Sequence, residues 1–540
     1  MRELSFWGWG YADLFPAEAE RARLGQMIGA LLGVEAPLPR PAPTLDGITI
    51  PPSKVEIPPQ FAAVLSSARD VRASHTYGKG YADLLRGFRG DFSAAPDLVA
   101  TPTNEEEVAA LLAWAEANKV AVIPFGGGTS VVAGTEADVS DRFAGTVSLD
   151  MRKLNRLISF SQKDRLAHFE AGITGPDIEA ALAPYGMTLR HFPQSFEFST
   201  LGGWVATRSG GHFATLYTHI DEMVAAARML TPRGVFETPL WPASGAGPDP
   251  NRLICGSEGA LGVITSAHLR VRPKPRWRSK ANIRFRDWSD AVKAVRDVAQ
   301  TDLYPANCRL LDSREAMLHG AGAGSHHLLL LGFESATGST EAAMAQAISI
   351  CRAQGGELAT PAKHSERGEV SQRDDKAGGA WRDAFLAAPY RFNSLVSLGM
   401  VVDTFETACT WSNFETMHDA IVKVTRGAMK AQTGSSGWIS CRFTHVYPDG
   451  PAPYYTFIAP GRPGRELEQW RAIKEAASDA LAAHGGTITH HHAVGRLHKP
   501  WYQRESPPLF GRLLKATKAE LDPHGILNPG ALIDEIPHRG

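Results

Sequence analysis

Three consecutive histidines, His490, His491 and His492, stand inside the segment Thr489 to Gly495. Imidazole has the proton affinity nearest neutral pH. A run of three can ligate a metal, relay protons or donate hydrogen bonds to an anion. Their internal position excludes a terminal purification tag. In an extended chain His490 and His492 share one face and His491 points to the other. Two coplanar imidazoles with no carboxylate motif beside them make a poor ligand set, so no metal is expected. A substrate-handling role and a structural role stay open on these residues alone.

Glycine supplies the second kind of chemistry. Pro124, Phe125, Gly126, Gly127, Gly128, Thr129 and Ser130 follow the strand-like run Val120 to Ile123. Glycines after a strand let backbone N–H groups approach a phosphate, and Thr129 and Ser130 add hydroxyl donors. A tight surface turn would use the same residues. The segment is neither a Rossmann fingerprint nor a Walker A loop, because it lacks G-x-G-x-x-G before a helix and any following Gly-Lys-Ser/Thr. A second such segment carries Pro193, Gln194, Ser195, Phe198, Ser199, Thr200, Gly202, Gly203, Ala206, Thr207, Arg208 and Ser209. A third carries Glu258, Gly259, Leu261, Gly262, Val263 and Ile264. All three lie beside apolar runs within about 140 residues, which suits one extended dinucleotide held by backbone rather than by charge.

These residues need elements to hold them. The 540 residues exceed one ordinary core and imply two or three domains. With 43% hydrophobic and 21% charged residues the composition is that of a globular protein. The 56 basic and 57 acidic residues leave a net charge of −1, and no nucleic-acid partner is expected. Cys255, Cys308, Cys351, Cys409 and Cys441 form no C-x-x-C pair and read as reduced thiols. No run of about 18 apolar residues predicts a membrane helix, and the start lacks a signal-peptide pattern. A cytoplasmic protein is expected, and the Ala-, Arg- and Gly-rich composition points to a bacterium.

Along the chain, residues 1–95 read as an irregular extension wrapping the core, with an extended Pro-rich stretch over 37–59. Alternating strands and helices follow: strands at Leu98–Ala100, Val120–Pro124, Gly145–Leu149 and Arg165–Ala171, and a helix Asn104–Asn118 capped by Thr103. After Pro275 the pattern changes. The expected domains are 96–275 for the glycine segments, 276–500 for a substrate cap, and 501–540 returning to the first domain.

In this order the three segments resemble the PCMH-type FAD-binding domain of the vanillyl-alcohol-oxidase superfamily. That resemblance implies an α+β fold: a two-subdomain FAD domain followed by an α+β cap with an antiparallel sheet and helices. Arg208-Ser209-Gly210-Gly211-His212 looks like the loop that carries covalent flavin in some relatives, but there it occupies the first glycine segment, where this chain has Thr129. Non-covalent FAD is therefore expected. The stretches Trp7 to Tyr11, Ser195 to Arg208, Thr231 to Gly234 and His490 to Leu497 resemble the alkylglycerone-phosphate synthase family, also called alkyl-dihydroxyacetone-phosphate synthases.

That family exchanges the acyl group of acyl-dihydroxyacetone phosphate for a long-chain alcohol, through a bond between the substrate carbon and flavin N5 and with no net redox change. The resemblance implies a lipid-like phosphate ester and a fatty alcohol as partners, Tyr454 as base with adjacent Tyr455 as fallback, and Arg391 and Arg309 as phosphate ligands. It gives His490, His491 and His492 a catalytic place beside flavin and phosphate. Tyr454 and Tyr455 should face opposite sides of a strand. Pro448, Pro451 and Pro453 crowd what reads as a loop before Tyr454. A homodimer and peripheral membrane contact through Pro59 to Phe92 are further expectations. The alternatives are an FAD-dependent 2-hydroxyacid dehydrogenase or oxidase, and a flavin-binding protein without activity.

Overall fold

A computed structural model describes residues 2–213, 215, 218–322, 324–366 and 390–535. The fold is α+β and built on three main sheets. In the first, Val120–Phe125 and Leu98–Ala100 flank Gly145–Asp150 in parallel, and Leu65–Ser66 adds an antiparallel edge. Helix Glu105–Ala117 links two of these strands, with Glu105, Glu106 and Glu107 in its first turn where the dipole favours them. Its cap is Asn104, which accepts from the Glu107 N–H, rather than Thr103. Thr103 donates its own N–H and hydroxyl to the Glu107 carboxylate instead.

The second sheet is antiparallel, in the order Leu157–Ser161, Leu166–Glu170, Val263–Arg270, Val224–Thr231, Gly234–Glu237. Helix Leu201–Thr207 buries Leu201, Trp204 and Val205 in the same apolar cluster as Ala167, Phe169 and Leu269 of this sheet. Late in the chain, Ile526 and Asn528 bond to the backbone of Val122, so residues 526–528 lie against the first sheet.

The cap sheet is antiparallel and eight-stranded among the described residues. Its long strands run in the order Trp277–Phe285, His327–Ser335, Asn307–Leu311, Trp438–Val446, Pro451–Pro460, with Met400–Glu406 at the edge. One face buries Phe405, Phe443, Tyr455 and Phe457 in a cluster with Phe414, Met417 and Ile421 of helix Trp411–Thr433. Pro451 and Pro453 sit inside a strand, not in a loop. A register shift between Phe443 and His445 lets the neighbouring strand pass the missing N–H donors.

Residues before 96 are less irregular than their prolines imply. Helices span Glu18–Leu32, Arg69–Ser74 and Tyr81–Phe88 on either side of the Pro-rich stretch. Trp7, Trp9, Ile28, Tyr81, Leu84 and Phe88 join the cap core. In 59–92 the large apolar side chains point inward, and none is among the exposed hydrophobic residues. No described helix is long and apolar enough to cross a membrane.

Candidate functional site

One cavity is lined by all three glycine segments on one side and by the cap sheet on the other. The first segment contributes every residue from Pro124 to Ser130. The second contributes Pro193, Gln194, Ser195, Ser199, Thr200, Gly202, Gly203, Ala206, Thr207 and Ser209, and the third Glu258, Gly259, Gly262, Val263 and Ile264. Three expected residues turn away. Phe198 packs its ring on Tyr11, Arg208 pairs with Asp221, and Leu261 is wholly buried in the core.

The segments touch because the glycines have no side chains. A Cβ on Gly126 would lie 2.2 Å from the Thr200 hydroxyl, and one on Gly127 2.0 Å from the Phe198 carbonyl. Gly128 has φ +63°, a region that disfavours other residues. The resulting wall is backbone and hydroxyl in character, which fits a dinucleotide with a pyrophosphate. Its carboxylate, Glu258, accepts N–H bonds from Val494 and Gly495 at 2.8 and 2.6 Å. Burial nevertheless pushes its pKa up to about 7. This bond ties the third glycine segment to the chain just after the histidines. Ser209, Gly210, Gly211 and His212 also line the cavity. His212 Nδ1 is 3.1 Å from Arg309 Nη1.

The cap's contribution is a row across three strands. Tyr454 pairs in register with Arg442 on one side and Glu406 on the other, so the three share a face. Tyr454 and Arg442 line the cavity, and Arg442 lies 4.0 Å from the centre of the Tyr454 ring. Tyr455 faces the opposite way, stacked on Phe405 at 5.0 Å within the cap core. Burial raises the Tyr454 pKa, while Arg442 and a hydrogen bond with Thr404 pull against it. Arg442 in turn donates to Glu315 at 2.6 Å, and Glu315 also binds Ser440 and His319. Of the two expected arginines, Arg309 is buried and Arg391 exposed, and both line the cavity. Burial and the neighbouring Arg442 lower the Arg309 pKa to about 9.

The histidines are not in an extended chain. Their backbone N–H groups converge on Glu406: His490 at 2.7 Å, His491 at 3.0 Å and His492 at 2.9 Å. The Thr489 hydroxyl adds a fourth bond at 2.6 Å. Burial opposes charge on Glu406. The surrounding His491, His492 and His490 and the Thr489 bond outweigh it, and the carboxyl stays well below its ordinary range. Four donors hold this carboxylate ionised with the imidazoles neutral. Burial lowers His491 to about 3 and His492 to about 4, with Glu406 pulling both back in part.

The turn also changes which imidazoles share a side. His491 and His492 line the cavity, whereas His490 bonds to the Tyr447 hydroxyl at 2.7 Å and to His219 at 3.2 Å, away from the cavity lining. Ring nitrogens of His445, His490 and His491 lie within 4.8 Å of one another, close enough to share an ion. His445 Nε2 is bonded to the Gly211 carbonyl at 2.7 Å, and His490 Nδ1 to His491 Nδ1 at 3.0 Å. Sequence reasoning missed Arg442, Glu406 and His445 as site residues. The register of Tyr454 between two strands is the signal that would have found the first two.

Two family models match the chain: the FAD binding domain over residues 96–238, and the C-terminal domain of FAD linked oxidases over 274–532. The alkyldihydroxyacetonephosphate synthase of Trypanosoma brucei brucei is 31% identical over 483 residues, covering 86% of this chain and 78% of the relative. That of Dictyostelium discoideum is also 31% identical, over 487 residues, with the same coverage. A solved alkyldihydroxyacetonephosphate synthase structure is 26% identical, with a TM-score of 0.79 over 97% of this chain and 98% of that one. The glycine cradle and the cap row are thus found in a chain that binds FAD and belongs to the alkyldihydroxyacetonephosphate synthase family.

Proposed function

We propose that the protein exchanges the acyl group of an acyl-dihydroxyacetone phosphate for a long-chain alcohol. The observation that carries this reading is the Arg442–Tyr454 pair on the cavity that the glycine segments line, with Glu406 buried next in the row and holding His491 and His492 on the same cavity. Tyr454 accepts the proton from the carbon beside the ketone. A buried phenol is a weak base, and the Arg442 guanidinium over its ring favours the phenolate. Arg309 and Arg391 take the substrate phosphate. Neutral His491 and His492, held by Glu406, orient the leaving carboxylate and the entering hydroxyl. Trp9, Leu24, Ile28, Phe392 and Leu395 give the cavity an apolar stretch for the chain. FAD, when bound, supplies an electron-accepting ring that lets one oxygen substituent leave and another enter without net oxidation.

The test is an anaerobic flavin spectrum. Adding acyl-dihydroxyacetone phosphate should perturb the spectrum with release of one fatty acid, and adding hexadecanol should restore it. Full bleaching by D-lactate, with no response to the phosphate ester, would overturn the reading in favour of a hydroxyacid dehydrogenase.

A further inference from the structure

We propose that Lys79 is a phosphate-binding residue of the cavity, its ammonium pairing with an oxyanion that the cofactor or the substrate brings. Lys79 lines the cavity and comes from the N-terminal segment rather than from any glycine-rich stretch. Among the described residues its ammonium has no hydrogen-bond or ion-pair partner, although its backbone N–H donates to the Ser130 carbonyl at 2.6 Å. That bond lays the segment directly on the end of the first glycine loop.

The flanking residues show that this contact is built. A Cβ on Gly78 would lie 2.2 Å from the Ser130 carbonyl oxygen, and one on Gly80 2.8 Å from that of Val131. Glycine on both sides lets the backbone lie flat against the loop, so Lys79 supplies the side chain of this three-residue contact. The carboxylate that acts on it electrostatically, Asp83, is already committed to the Gly80 N–H at 3.1 Å and to Arg86 at 3.0 Å. A half-buried cation with no counter-charge in contact is costly. Burial brings its pKa down to about 8, so it is still mostly charged at neutral pH. A phosphate in the cavity would supply the missing partner.

Two phosphates can occupy this cavity: the pyrophosphate of FAD, and the phosphate of the proposed substrate. The second source rests on the synthase reading and the first does not. Both are tested with Lys79→Met and Lys79→Arg proteins, without relying on turnover. Flavin-free protein is titrated with FAD and with riboflavin, which lacks both phosphates. FAD-loaded protein is titrated with inorganic phosphate, followed by flavin absorbance.

If the cofactor is the source, Lys79→Met weakens FAD at least tenfold and leaves riboflavin unchanged. If the substrate phosphate is the source, FAD affinity holds and inorganic phosphate weakens at least tenfold. In either case Lys79→Arg stays within threefold of the parent. Lys79→Met values within twofold of the parent for both FAD and inorganic phosphate would overturn the proposal, leaving Lys79 as a solvated side chain. Should Lys79→Met fail to fold, Lys79→Gln reads the same contrast. Failure of the synthase assay leaves all of these readouts intact.

Discussion

The two ends of the cavity are built on opposite principles. The glycine cradle is made of backbone, and its residues are close in sequence within each segment. The substrate end is made of side chains brought together from afar: Glu406 holds the backbone of residues 490–492, more than 80 positions away. A cradle of this kind fails by steric intrusion. A charged network fails by losing one member.

The largest effect should come from the base. Tyr454→Phe removes the phenolic oxygen and keeps the ring under Arg442. Turnover should fall by roughly 10³-fold, the range for a lost general base, with FAD affinity within twofold of the parent. A variant that retains a tenth of parental turnover would remove Tyr454 from the mechanism. Glu406→Gln comes next. It leaves buried N–H donors facing an amide, at a cost of about 3 kcal/mol. Urea unfolding should show that loss, and FAD affinity should change little. A loss under 1 kcal/mol would mean that the histidine turn is held by something else.

The sequence made the cradle legible and the network illegible for the same reason. Gly126 to Ser130 announce themselves because a strand, three glycines and two hydroxyls are contiguous, so local chemistry is written in local order. Phe198, Arg208 and Leu261 belong to the motifs by adjacency alone: Phe198 packs on Tyr11, Arg208 pairs with Asp221, and Leu261 lies in the apolar core. Glu406 had no local signal at all. Its role appears only when Met400–Glu406 pairs with Pro451–Pro460 and places it beside Tyr454. The histidines were visible as a cluster, but their turned backbone depends on that distant carboxylate, so alternation along an extended chain assigned the wrong pair to one side.

Steric intrusion in the cradle should cost less than the network lesion. Gly127→Ala puts a Cβ 2.0 Å from the Phe198 carbonyl. Overpacking of this kind costs about 1–3 kcal/mol. It should separate the first two glycine segments and weaken FAD, which a fluorescence titration would read. Gly203→Ala is the sharpening control. Its Cβ would find only the Thr200 hydroxyl at 3.5 Å, so stability should be parental and any loss of FAD would come from contact with the cofactor itself. Equal stability losses in the two variants would refute the steric account.

Acid should move the two ends in opposite directions. His492 is half-buried and neutral, with its pKa lowered by burial to about 4, whereas an unfolded histidine titrates near 6.5. Between those values the unfolded chain takes up a proton that the native chain refuses, so stability falls as pH drops. Glu258 has the opposite sign. Its native pKa is about 7, above the unfolded value near 4.5, so the native chain binds the extra proton and gains stability as pH drops between them. Each group contributes about 1.4 kcal/mol per pH unit inside its window. Urea unfolding at pH 6.5, 5.5 and 4.5 should therefore show a shallower acid loss for His492→Gln and a steeper one for Glu258→Gln. If the two variants shifted the slope in the same direction, the cradle and the network would not be the electrostatic opposites that their geometry makes them.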